Sequence, residues 1–164
     1  IDYDVSYAFE ALGGDLMAGL TATQIVKYDI AGFSLNGVPI AQSYDALGFA
    51  NYSRDAGLVS EWRGNATLNY ALDEHNFRYV LRYIQGVMDE RFPVGDIRRQ
   101  IDDFTTHNLY YQWNVPWVSD LTLNLSVENV TDEAPPFVQA QGSYDPWIGN
   151  ALGRTIEIGV RKQF

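Results

Sequence analysis

The sequence predicts an all-β protein: an antiparallel up-and-down meander of about seven strands, built to cross a bilayer as barrel wall. Three observations predict it. Most of the chain alternates apolar and polar residues with a period of two, so each segment has one greasy face and one polar face. The connections between those segments run short, long, short, long, short, long. The last eleven residues, Arg154 to Phe164, set Ile156, Ile158, Val160, Lys162 and Phe164 against Thr155, Glu157, Gly159, Arg161 and Gln163. That length matches the roughly 9 to 11 tilted residues needed to span a membrane.

Taken in order, Ile1 to Leu12 places Ile1, Tyr3, Val5, Tyr7 and Phe9 on one parity, opposite Asp2, Asp4, Ser6 and Glu10. Gly13-Gly14-Asp15 reads as the tight turn after it, since glycine supplies the positive φ that hairpins need. Leu16 to Lys27 is the return strand. Tyr28 to Gly57 is a long connection whose aromatics, Phe33, Tyr44, Phe49 and Tyr52, either pack locally or form a binding surface. Leu58 to Leu72 alternates again, Asp73 to Asn76 is a polar turn, and Phe77 to Val87 sets Phe77, Tyr79, Leu81 and Tyr83 against Arg78 and Arg82. Asp89 to Asp102 is a charged connection. Phe104 to Trp113 is the next strand, Val115 to Asp120 a turn that contains Pro116, and Leu121 to Val127 a nearly perfect alternation. Asn129 to Gly153 is the last long loop.

In a meander every second connection lies at the same end, so the short turns gather at one end and the long loops at the other. Outer-membrane barrels are sorted in this way, with short periplasmic and long extracellular connections; Greek-key sandwiches have no reason to be. The terminal strand then runs toward the periplasm. Lys162 sits near that interface, where it can snorkel, and Phe77, Tyr79, Trp113 and Trp117 form an aromatic girdle there. Single-chain bacterial barrels have an even number of strands, and open edges in hydrocarbon leave amides unpaired. Seven strands are therefore expected to be part of a larger barrel. The start points the same way, because Ile1-Asp2-Tyr3-Asp4 opens in mid-pattern and not as a leader.

Composition excludes several function classes. Hydrophobic residues make up 46%, yet no run of about eighteen apolar residues exists, so no helix crosses a membrane. The formal net charge of −10 argues against nucleic acid as a partner. There are no cysteines for disulfides or thiolate metal sites. His75 and His107 have no partner at metal-ligand spacing, and neither stands beside a serine as a catalytic base would, so neither enzyme chemistry, a metal nor a cofactor is expected. Asp89, Glu90, Asp96, Asp102 and Asp103 read as a solvated acidic loop, with no calcium-motif spacing.

Glu61, Arg63, Arg78, Arg82, Glu157 and Arg161 share the parity opposite the apolar stripes and are expected to line a lumen. Tyr44, Tyr144, Asp145, Trp147 and Asn150 offer stacking faces and hydrogen-bonding groups in the long loops, which either pack the loops against themselves or take a small-molecule substrate. A rival reading is a soluble β-sandwich carbohydrate-binding module with Trp62, Trp113 or Trp147 as sugar platforms.

From Asn129-Val130-Thr131-Asp132-Glu133-Ala134-Pro135-Pro136, through Tyr144-Asp145 and Gly153-Arg154, to the terminal Phe164, the chain resembles the C-terminal segment of TonB-dependent outer-membrane receptors. Thr131 stands where that family more often has Phe. Asn129, Asp132, Pro135, Pro136, Gly153, Arg154 and Phe164 carry the resemblance. It implies the last seven strands of a 22-stranded transmembrane barrel in the bacterial outer membrane, with residues 1–164 as the C-terminal part and the plug and first strands lying outside it. It also implies active import of a scarce siderophore, cobalamin or oligosaccharide. The implied partners are lipid, the plug domain, the TonB complex acting through the missing N-terminal part, and the barrel-assembly machinery at the terminal strand.

Overall fold

The computed structural model describes residues 1–163, so the placing of Phe164 lies outside the described residues. Seven long strands form one antiparallel sheet in chain order: β1 (Asp2–Ala11), β2 (Gly14–Gln24), β3 (Trp62–Leu72), β4 (His75–Ile84), β5 (Phe104–Asn114), β6 (Leu121–Glu128) and β7 (Thr155–Lys162). The protein is all-β with an up-and-down meander. The sheet is open: β1 and β7 are its edges and do not pair with each other.

Register turns sequence alternation into continuous rows. Tyr7, Ala18, Leu68, Tyr79, Leu109, Val127 and Ile156 stand opposite one another across all seven strands. On the other face runs the row Ala8, Met17, Asn69, Arg78, Tyr110, Ser126 and Glu157. No second sheet covers the apolar face among the described residues, and Val5, Leu20, Ile156 and Ile158 are at least half exposed.

Aromatic side chains bound that face at both ends. Near the short turns Phe77 stacks on Tyr111 at 4.8 Å and Trp113 meets Trp117 edge-on at 5.3 Å. Near the long connections Tyr3 stacks on Trp62 at 5.8 Å. Along β3 the span from Trp62 to Tyr70 is about 26 Å at roughly 3.3 Å per residue, close to the height of an apolar barrel band. Tyr79 departs from its expected place at the rim. It stands in the middle row, where its hydroxyl and His107 Nδ1 are 2.6 Å apart.

Several boundaries differ from expectation, each for a local reason. The first turn is Leu12-Gly13, with φ of 52° and 82°, and not Gly13-Gly14-Asp15. Gly14 already belongs to β2, and a Cβ there would collide with the Ala71 carbonyl of β3. The expected strand Leu58 to Leu72 is two pieces, Gly57–Val59 and β3. The expected strand Phe77 to Val87 starts earlier, at His75, and leaves the wall at Ile84. Beyond Gly86, where a Cβ would collide with the Ile101 carbonyl, Val87–Asp89 joins a different sheet.

The long connections are themselves folded. Gln100–Ile101, Val87–Asp89, Phe49–Asn51 and Gly57–Val59 make a small four-stranded sheet in that order. Phe33–Leu35 and Val38–Ala41 form a hairpin about Asn36-Gly37, with φ of 50° and 81°. Ala50, Val87, Ile101, Phe104, Val138 and Ile148 form the buried cluster, and Tyr52 and Leu58 pack against it. The hydrophobic core thus sits at the long-connection end, where the cap that these connections form packs against Phe104, the first residue of β5.

Candidate functional site

The polar face and the cap meet over the upper halves of β3, β4 and β5. Arg63, Asn65, Arg82, Thr106, Asn108 and Glu128 project from the wall, and Ile148 and Asn150 close over them from the last connection, leaving a cavity of about 410 Å3. Gly149 makes the closure possible, because a Cβ there would lie 2.6 Å from the Phe104 ring. Asn108 is buried, and its Oδ1 accepts the Asn129 N–H at 2.8 Å. This hydrogen bond ties the start of the last connection to the wall.

Arg63, Arg78, Arg82, Glu157 and Arg161 do share one face of the sheet. They are not one cluster. Arg63 and Arg82 line the cavity. Arg78 lies lower, with its guanidinium 4.7 Å from the Tyr110 ring centre, and the Tyr110 hydroxyl donates to Glu128 at 3.4 Å. Glu157 and Arg161 lie on the edge strand, opposite Ser126 and Thr122. Glu61 stands just before β3, where its Oε1 accepts from Gln24 Nε2 at 3.3 Å.

The five candidate loop residues are also dispersed. Tyr44 carries the Arg54 guanidinium over its ring at 4.3 Å. Tyr144 is half-buried, and Trp147 is 75% exposed. Asn150 lines the cavity and caps the Leu152 N–H at 3.0 Å. Asp145 is buried; it accepts the Tyr52 hydroxyl at 2.7 Å and the Trp147 N–H at 2.7 Å. Each of its carboxylate oxygens accepts a hydrogen bond within the protein, and the one from Tyr52 holds two connections together.

A charged network extends from that contact. Asp89, 1% exposed, receives Arg91 in a fork, with Nη2 at 2.6 Å, and the same guanidinium donates to the Gln139 carbonyl at 3.0 Å. Arg91 also lies 4.6 Å from the Tyr52 ring centre. Glu90 accepts the backbone N–H groups of Tyr52 and Ser53. All three long connections therefore meet at Tyr52, Asp89-Arg91 and Asp145. Burial, then the Asp145 carboxylate, pushes the Tyr52 hydroxyl well up, and the fork from Asp89 raises Arg91. The remaining acidic residues go to separate partners: Asp96 to Arg98, Asp102 to Gln100, Asp103 to Tyr83 and Gly86.

Asp96 gives one pH prediction. Hydrogen bonds from the Arg98 side chain, then its backbone N–H, hold the Asp96 carboxyl down at about 2. A depressed pKa means the contact is complete above the unfolded value of about 3.9 and is lost as pH falls through the folded one. An NMR titration of the Arg98 side chain is expected to stay flat to pH 4 and move with a midpoint near 2. A midpoint at the ordinary carboxylate value would show that the pair does not persist in solution.

The residues of the Asn129 to Arg154 pattern form a clamp at the base of the last connection. Asn129, at φ 52°, receives the Glu133 N–H on Oδ1 at 2.9 Å and donates from Nδ2 to the Glu133 carbonyl at 2.8 Å. Asp132 Oδ1 accepts the Arg154 N–H at 2.7 Å, and Arg154 Nη1 reaches the Val130 carbonyl at 3.3 Å. Gly153, at φ 66°, leaves room where a Cβ would lie 2.7 Å from Asp132 Oδ1. Short amides, acids and glycine suit these positions because they tolerate positive φ and bond their own neighbourhood. Pro135 and Pro136 follow, half-buried.

Sequence reasoning missed Phe104, Asn108 and Ile148. The signal was present for the first: Ile84 and Phe104 pair with each other on the mostly polar parity. Apolar residues out of phase at strand ends mark where the wall is covered. No family model, no curated protein and no solved structure matches this chain.

Proposed function

We propose that this chain is outer-membrane barrel wall, the last seven strands of a 22-stranded TonB-dependent receptor that imports a scarce small molecule. The observation that carries the reading is the uncovered apolar face, which is continuous over seven strands and bounded by aromatic side chains at both ends. Exposed apolar area of that extent needs a partner, and hydrocarbon suits a face with this height and these edges. The open edges support it further, since β1 and β7 would pair with other strands of a closed barrel. The Asn129-Asp132-Gly153-Arg154 clamp adds the family resemblance.

In this reading the chain transports and does not catalyse. Glu61, Arg63, Arg78, Arg82, Glu157 and Arg161 line the lumen and face the plug, while the cap forms the extracellular mouth. The plug domain, the TonB complex and the assembly machinery are its partners. The test is fractionation of source cells with an antibody to residues 129–163, with samples run boiled and unboiled on one gel. An outer-membrane band whose mobility changes on boiling is expected. A band soluble without detergent and indifferent to boiling would overturn the reading and put a soluble binding module first.

A further inference from the structure

Arg63 and Arg82 differ from the arginines of the cap. Arg91 and Arg98 are each forked to an aspartate, and Arg99 donates to the Phe92 carbonyl. The side chains of Arg63 and Arg82 make no hydrogen bond or salt bridge among the described residues. They stand on adjacent strands, Arg63 opposite Ile84 and Arg82 opposite Asn65, so the two positions are diagonal neighbours on one face. Both border the same half-enclosed cavity of about 410 Å3. Two cations share this space with a single carboxylate, Glu128, which accepts the Tyr110 hydroxyl and forms no salt bridge with either.

The rest of the lining is asymmetric. Asn65, Thr106 and Asn150 supply amide and hydroxyl groups, and Glu128 stands on β6, opposite Thr155. Guanidinium pairs fit planar or tetrahedral oxyanions by forked hydrogen bonds. We propose that this cavity binds a small ligand with a carboxylate or phosphate group. The oxyanion is held between Arg63 and Arg82, and ligand hydroxyl or ammonium donors point toward Glu128. The inference rests on the polar face bordering a wet lumen, and it names the class of molecule that enters there.

The test is calorimetric titration of the intact detergent-solubilised protein that carries this chain, with citrate and with inorganic phosphate, at low salt. Saturable binding of one or both is expected. It should weaken about tenfold or more in the Arg63→Gln/Arg82→Gln variant and with added salt. Asn65→Trp, which fills the cavity while keeping both charges, should lose binding likewise. Lys27→Gln, which removes an exposed cation outside the cavity, should bind as the parent does. Absence of saturable binding to both probes overturns the proposal, as does undiminished binding in both cavity variants. Asn65→Trp decides the matter if the double variant does not fold. Failure of the membrane reading is separate: it appears as detergent independence and unchanged mobility on boiling, whatever the titration gives.

Discussion

Leu109→Arg is expected to destabilise the folded protein by about 2–4 kcal/mol in lipid, the cost of a cation near the bilayer midplane on the outer face of a barrel. Leu109 is the sixth residue of β5, in the middle apolar row between Tyr79 and Val127, and is 46% exposed within the chain itself. Thr67→Arg, on the opposite face between Gly19 and Val80, is expected to change stability by less than about 0.5 kcal/mol. Urea unfolding of the protein in lipid vesicles measures both. The contrast between faces is the informative quantity. In water a half-exposed leucine tolerates substitution, so equal small costs on the two faces would mean that the apolar side does not meet hydrocarbon.

Phe104→Ala is expected to cost about 3–5 kcal/mol, the usual loss for emptying an aromatic core position. Phe104 is 8% exposed, belongs to the buried cluster and supports Gly149 of the last connection. The cluster lies in the cap, so the loss should be local. Hydrogen exchange is expected to quicken in residues 85–103 and 129–153, while the amides of β3 and β4 keep their protection. Equal loss of protection in the wall would show that cap and sheet unfold as one unit.

The wall was legible in the sequence because a two-residue period survives any tertiary context in which one face is apolar. Even β5, with His107 and Thr105 on its apolar parity, was found from Leu109, Tyr111 and Trp113. The cap was not legible. Its strands are two to four residues long, too short for a period to register, and its ladder between Val87–Asp89 and Phe49–Asn51 is parallel and joins segments far apart in sequence. The Asn36-Gly37 hairpin could have been found, since that dipeptide between apolar residues is the strongest local hairpin signal. Asp145 looked like a ligand group because loop position and side-chain type do not tell a binding carboxylate from one engaged by Tyr52. Arg63 and Arg82 were placed on the right face by parity, but their separation from Arg78 and Arg161 depends on where the last connection folds back.

The buried cluster has a consequence for the order of assembly. It draws Ala50, Val87, Ile101, Phe104, Val138 and Ile148 from three connections, and its ends are nearly one hundred residues apart in the chain. Closing such distances in a free chain is slow, so the cluster is expected to form after the meander has brought the three connections to one end. A slip of one residue between two wall strands would send Phe104 to the opposite face and leave the cluster open. The cap therefore acts as a proofreading step, a lock that only a correctly registered wall can close.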